Sequence, residues 1–535
     1  MKIKHRTTRR RLPEDDPTLV SLVADLKALH HVSTPRNLRP RLAGDLKRQL
    51  PTEGGMIPFP KRKRAGAVRP GGRRRWLTQG IAAAMFIAVL ALASGALTFS
   101  VRQATTSRSA FGASGPVPGI PKGAKIKLTI DNYVQSHIVE PTLTSLIRQF
   151  KAVSGTIVVE RPSDGAIIAM DSQPRTDSRT WQQVAASDAF GTFANPASSD
   201  AFTPGQTVMP LLAAIGFDTG SFNERTTVDD SGLLKVDGIT IQNWCADQCA
   251  FGGPETTSVM LHYASNVAAT LLAKLIPDQE FYEYLDSFGF GRSQTGLGLP
   301  KADPGTLIEP YRLVNGKKAP NHSWRPAYRD LTAFGQGVGT GTLQPGQKPW
   351  KSAPTGEFFK PVITTTPLQL TNAYAALANG GTLMQPHLVQ SYSLNGKTTI
   401  IQPTVLNVVF KNADTAQRVT NLLVQAEING EACEALVRGY DVVAKTGDAD
   451  IYNANQPNAK HVIVYAMAYG PIAEADPARR FVVLIEMKDP NKQWGSETAA
   501  PGVSKILHQL FQRYGLQPDP KSIQPNRPCS GPDTP

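Results

Sequence analysis

The sequence predicts a mixed α/β chain of the α+β kind, with hairpin-paired antiparallel strands and flanking helices behind one transmembrane helix. Three observations predict it. Apolar, β-branched runs pair across turn sequences, as Thr156–Val159 and Ala166–Met170 do across Pro162-Ser163-Asp164-Gly165. His461–Tyr469 and Arg480–Met487 are two further β-rich runs separated by a connection containing Pro and Asp, and Val503–Tyr514 closes the region with apolar residues at helical spacing. From Trp76 to Val101 no residue is charged, and Gly80–Phe99 is long enough to cross a bilayer core as a helix.

The first 76 residues form a basic arm. The net charge of +14 first points to a nucleic-acid binder, yet residues 1–76 hold 20 Lys/Arg against 6 Asp/Glu, and the remainder holds 37 of each. The excess is confined to the arm, and no nucleic-acid partner is expected. Within it Leu19, Leu22, Val23, Leu26 and Leu29 recur at helical spacing, and Leu38, Leu42, Leu46 and Leu50 do so beside Pro40. Two short amphipathic helices so placed make either a protein-docking module or a hairpin that lies on the membrane or packs on itself. Residues 51–75, rich in Pro, Gly and Arg, form a linker whose charges face anionic lipid heads.

Residues 77–101 are the expected transmembrane helix. Eight Lys/Arg lie between Lys61 and Arg75, against Arg102 and Arg108 just beyond the segment. That asymmetry puts the N-terminus in the cytoplasm and residues 102–535 on the outer face. A cleaved signal peptide does not carry a leading region of about 75 residues. After a linker over 102–124, Lys125–Asp131 opens the main region, and a helical stretch bent at Pro141 follows. From Leu516 to Pro535 the chain is rich in proline, and this tail is expected to be disordered. Cys245, Cys249, Cys433 and Cys529 all fall on the outer side, where oxidising surroundings permit disulfides in any of three connectivities. A short Cys245–Cys249 bridge is the favoured pairing. One Cys-x3-Cys pair without a second does not make a zinc site, so no metal or cofactor is expected.

Several motifs stand in one order along the main region. Leu128-Thr129-Ile130-Asp131 precedes the hairpin Gly155–Met170. Phe288-Gly289-Phe290-Gly291 leads to Thr295-Gly296-Leu297-Gly298-Leu299-Pro300, and Thr366-Pro367-Leu368-Gln369-Leu370 leads to Ala378-Asn379-Gly380-Gly381. With Pro204-Gly205-Gln206-Thr207-Val208-Met209-Pro210 and Lys445-Thr446-Gly447, the series resembles the transpeptidase domain of penicillin-binding proteins over residues 125–515. The resemblance implies a serine β-lactamase/DD-peptidase-like fold, in which an antiparallel sheet flanked by helices stands beside an all-helical subdomain and the site lies between them. The 25 or so residues between the membrane segment and Lys125 are too few for a glycosyltransferase or pedestal module.

In that family three clusters carry the chemistry. The first is an acylatable serine with a lysine three residues on, whose side chains face one cleft. Here those positions hold Gln206 and Met209. An amide is no usable nucleophile and a thioether takes no proton at neutral pH. Thr207 carries a hydroxyl but is rotated about 100° away along a helix. In the second cluster, Ser-x-Asn, Ala264 replaces the serine hydroxyl that relays a proton, Ser265 takes the variable middle place, and Asn266 is kept. Asn266 then contacts a substrate amide or merely steadies its loop. The third cluster, Lys445-Thr446-Gly447, is intact. The resemblance puts it on an edge strand able to pair with an extended peptide, where Lys445 supplies positive potential and Gly447 leaves room. Its survival reflects either ligand binding or a buried contact of Lys445. Asp448, next in line, would partly cancel that potential.

These losses imply a membrane-anchored pseudoenzyme in cell-wall synthesis or division that holds other proteins of that machinery at the outer face. The alternative is a receptor that binds peptidoglycan stem peptides or β-lactams without acylation and signals through the arm. A working D,D-transpeptidase with an unorthodox nucleophile is the remaining option.

Overall fold

The computed structural model describes residues 120–522, except 176–193, 245–253, 293–296, 298, 300–301, 315–316, 337, 340–358, 429 and 452–460. The expected arm, the apolar segment 77–101, Cys245, Cys249, Cys529 and the tail beyond Ser522 lie outside the described residues. Among those described, no helix is long and apolar enough to cross a membrane. Cys433 is disulfide-bonded.

Five strands make the central antiparallel sheet: β1 (Ser154–Arg161), β2 (Ala166–Gln173), β3 (Val443–Ile451), β4 (His461–Gly470) and β5 (Phe481–Lys488). Their order is β3-β4-β5-β1-β2, which leaves β3 and β2 at the edges. The β1–β2 hairpin forms where the turn sequence indicates, with Gly165 at φ +76° and a Cβ there only 2.5 Å from the Gln385 carbonyl oxygen. β1 outruns its apolar stretch at both ends, because ladder pairing to β5 and β2 takes in Gly155 and Glu160 through the backbone alone.

Alternation along the strands divides the sheet into two buried faces. One carries Ile157, Val159, Val464 and Ile485 and is covered by α1 (Glu140–Phe150) and α9 (Ala500–Arg513), which supply Leu143, Leu146, Val503, Ile506 and Leu510. Pro141 sits in the first turn of α1, where its missing N–H leaves no bond unmade, and a wider π-helical turn over Val134–Val139 precedes it. The other face meets α7 (Pro367–Ala378). The motif Thr366-Pro367-Leu368-Gln369 is the start of α7 written in residues. Thr366 Oγ1 accepts from the Gln369 N–H at 3.2 Å, and Gln369 Oε1 accepts from the Thr366 N–H at 2.8 Å, with Pro367 at the first position. Gln369 Nε2 also donates to the carbonyls of Arg292 and Pro304, tying α7 to the Phe288–Gly291 stretch.

Beside the sheet stands a helical lobe with α2 (Met209–Thr219) at its centre. It is apolar all round and buried on ten of its eleven residues, as a helix enclosed by others must be. Around it lie α3 (Thr257–Tyr263), α4 (Asn266–Ala273), α5 (Asp278–Ser287) and α8 (Thr415–Ala426). One continuous core runs from this lobe to the adjoining sheet face through Met209, Leu212, Val267, Val443, Tyr465 and Met467. The start of α2 therefore abuts edge strand β3.

Candidate active-site cleft

β3 pairs with β4 on one side only, with Lys445 opposite Met467 and Gly447 opposite Tyr465. Lys445 and Gly447 share the face of Val443 and Ala449, toward the helical lobe, whereas Thr446 faces the other way. The space over Gly447 belongs to the protein itself. A Cβ there would lie 2.3 Å from Tyr465 Cε2 and 3.2 Å from Thr207 Cγ2. Tyr465 runs on beneath the turn before α2, its hydroxyl donating to the Thr203 carbonyl at 3.0 Å. Gly205 (φ +52°) is required there as well, since a Cβ would sit 2.2 Å from Tyr465 Oη.

Gly205–Val208 is a single 3-10 turn that feeds α2. Gln206 is 6% exposed and lies between the lobes. Its Nε2 approaches Asn266 Oδ1 at 3.5 Å, and its Oε1 accepts from the Asp448 backbone N–H at 3.4 Å. Met209 is fully buried in the shared core. Thr207 is fully buried too, with its hydroxyl turned back onto the Pro204 carbonyl at 2.6 Å. The tighter turn and this bond, rather than a plain helical rotation, keep that oxygen out of the cleft.

Ala264-Ser265-Asn266 makes the sharp corner between α3 and α4. Ala264 takes a left-handed backbone (φ 52°) at about 1–2 kcal/mol of strain for a non-glycine residue. Ser265 caps α4 by accepting from the Ala268 N–H at 3.0 Å, and it points away from the cleft into a buried network. There its hydroxyl donates to Asp230 and also meets Asn243 Oδ1 at 3.1 Å, while Asn243 Nδ2 reaches Asp230 at 3.0 Å. Asn266 donates to the Gln242 carbonyl at 3.0 Å and faces Gln206 with its oxygen, so both ends of its amide are engaged within the chain.

Buried Glu255 adjoins this network, and burial first, then the charge of Asp230, pushes its carboxyl up to about 8. A carboxyl raised from 4.5 in the native state favours folding below 4.5, and that advantage fades as pH climbs through about 8. Glu255→Gln is therefore expected to gain stability relative to the wild type as pH rises from about 5 to about 9. Thermal melts of both proteins across that range check this, and a pH-independent difference would exclude it.

Lys445 is wholly buried, with Nζ 2.6 Å from Glu431 Oε2. Burial alone would lower its pKa, but the carboxylates of Glu431 and Glu427 outweigh that and raise it. Glu427, also buried, accepts from the Ala432 N–H at 2.8 Å, and burial lifts its carboxyl to about 8 against the pull of Lys445. Asp448 acts on Lys445 less than either glutamate does. Positive potential at Lys445 is thus met mainly from the loop after α8.

Sequence reasoning missed Glu431, Gln336 and Tyr465, which complete the cleft. Gln336 follows the turn after α6 (Pro326–Thr332) and donates from Nε2 to the Asp448 carbonyl at 3.2 Å. Trp244 of the helical lobe meets Trp494 of the sheet lobe edge-on, ring centres 6.0 Å apart. No local pattern marks these residues, because each acts on a partner far away in the chain.

A sheet and a helical lobe with these three clusters between them make up a transpeptidase-type fold. Residues 155–508 match the penicillin binding protein transpeptidase domain. Stage V sporulation protein D of Bacillus subtilis is 25% identical over 405 residues, which cover 75% of this chain and 56% of that protein. Penicillin-binding protein PbpB of Mycolicibacterium smegmatis is 25% identical over 415 residues, 74% of this chain and 56% of its own length. The chain spans little more than half the length of these relatives. Among solved structures, the transpeptidase domain of Burkholderia pseudomallei penicillin-binding protein 3 aligns with a TM-score of 0.54 at 21% identity, covering 77% of this chain and all of that one. Mycobacterium tuberculosis penicillin-binding protein 3, complexed with aztreonam, gives 0.59 at 22%, covering 76% and 82%. Those two share the fold. The chain belongs to the penicillin-binding protein transpeptidase family.

Proposed function

We propose that this chain is a catalytically inert member of the family, held in the membrane by residues 77–101, that serves as a scaffold for cell-wall or division proteins at the outer face. One observation carries the proposal: the turn that would present nucleophile and base presents Gln206 and Met209, and the neighbouring Thr207 hydroxyl is bound to Pro204. Ala264 offers a methyl where a proton would be relayed. The names of the relatives, a sporulation protein and a peptidoglycan D,D-transpeptidase of Buchnera aphidicola among them, support a setting in cell-wall assembly. The arm over residues 1–76 then lies in the cytoplasm, and residues 102–535 lie outside.

A receptor for stem peptides or β-lactams draws its support from Lys445-Thr446-Gly447. That support weakens because Lys445 is engaged by Glu431 and the space over Gly447 by Tyr465. The deciding experiment incubates the full chain in detergent with a fluorescent penicillin and reads a denaturing gel. No covalent label is expected at concentrations that label an active relative, and a stable adduct at any residue would overturn the proposal.

A further inference from the structure

We propose that the cleft is closed by an internal mimic of a bound peptide, an autoinhibitory contact made by Gln206, Gln336 and Glu431. The inference stands apart from the scaffold role and concerns only what occupies β3.

An edge strand offers its outward N–H and C=O groups to any extended peptide that pairs with it. In an antiparallel ladder both groups of one residue point to the same side, and residues alternate. Asp448 is an outward residue of β3. Its N–H donates to Gln206 Oε1 at 3.4 Å and its C=O accepts from Gln336 Nε2 at 3.2 Å. Two side-chain amides, from adjoining turns tied by the Gly205 N–H to the Gly335 carbonyl at 2.8 Å, thus reproduce the carbonyl and N–H that a docked backbone would bring. Lys445 would meet the carboxylate end of such a peptide, and Glu431 already places a carboxylate on it at 2.6 Å. The other end of the Gln206 amide reaches Asn266, so the same side chain joins the helical lobe to the sheet. Trp244 against Trp494 also spans the two lobes. Both Gln206 contacts are long for hydrogen bonds, so removing the two amide side chains is enough to open this part of the closure.

Hydrogen exchange of the Asp448 amide in the full chain tests the idea. Gln206→Ala with Gln336→Ala is expected to speed that exchange about tenfold or more, while the Gly447 and Ala449 amides, which face β4, keep their protection. Gln206→Glu retains an acceptor for the Asp448 N–H and is expected to exchange as the wild type does. Unchanged exchange in the folded double variant, or acceleration in Gln206→Glu equal to that in Gln206→Ala, would overturn the proposal. A pentapeptide with a free C-terminal carboxylate is expected to bind the double variant about tenfold more tightly than the wild type. Equal affinity, including no binding to either, would count against it.

Discussion

Met209→Lys is expected to destabilise the protein by about 4 kcal/mol at neutral pH rather than to recreate a catalytic base. The position is fully buried at the first turn of α2, within the core that also holds Leu212, Val267 and Tyr465. A lysine there must either shed its proton or carry a charge out of water, and keeping it neutral at pH 7 means a fall of roughly three units, at about 1.4 kcal/mol each. The helix N-terminus adds to the penalty because its partial charge is positive. Gln206→Ser exchanges one buried polar group for a smaller one, so it is expected to cost far less. Met209→Lys combined with Gln206→Ser still has the Ala264 methyl where a hydroxyl would relay a proton, and Lys445 remains paired with Glu431, so no acylation by a fluorescent penicillin is expected from it. Urea unfolding of Met209→Lys checks the first claim. A loss under about 1 kcal/mol would mean that the cleft still accommodates a cation.

How much of this was legible in the sequence depends on the range of the forces involved. The hairpin of β1 and β2 was readable because its turn residues and apolar runs act locally, and so was α7, whose capping box is written in four consecutive residues. At positions 206, 209 and 264 the sequence shows an amide, a thioether and a methyl, and side-chain identity carries that part of the reading by itself. What fills the cleft was not legible in this way. Asp448 does partly offset Lys445, as its place in the sequence suggests, yet strand alternation sends its side chain to the other face, and the stronger action comes from Glu431 and Glu427. Gly447 read as space for a ligand, whereas a tyrosine on the neighbouring strand needs that space. Such contacts depend on register and lobe packing, which no short motif encodes.

Lys445→Ala is expected to lower stability by about 3–5 kcal/mol, because it strands the Glu431 carboxylate beside a cavity with no cation. The magnitude distinguishes two reasons for a lysine at this place. A lysine kept only to meet a ligand has its charge uncompensated in the resting protein, and its removal relieves a desolvation penalty. A lysine bound at 2.6 Å to Glu431 and lifted in pKa by two carboxylates is instead part of the resting structure. Breaking such a pair from one side costs more than the pair itself contributes. Replacing Lys445 by Met together with Glu431 by Gln is therefore expected to recover much of the loss, which Lys445→Met alone does not. Urea unfolding of the single and double variants measures that coupling. Additive effects at the two positions would return Lys445 to the role of an unoccupied ligand contact, and the receptor alternative would regain its main support.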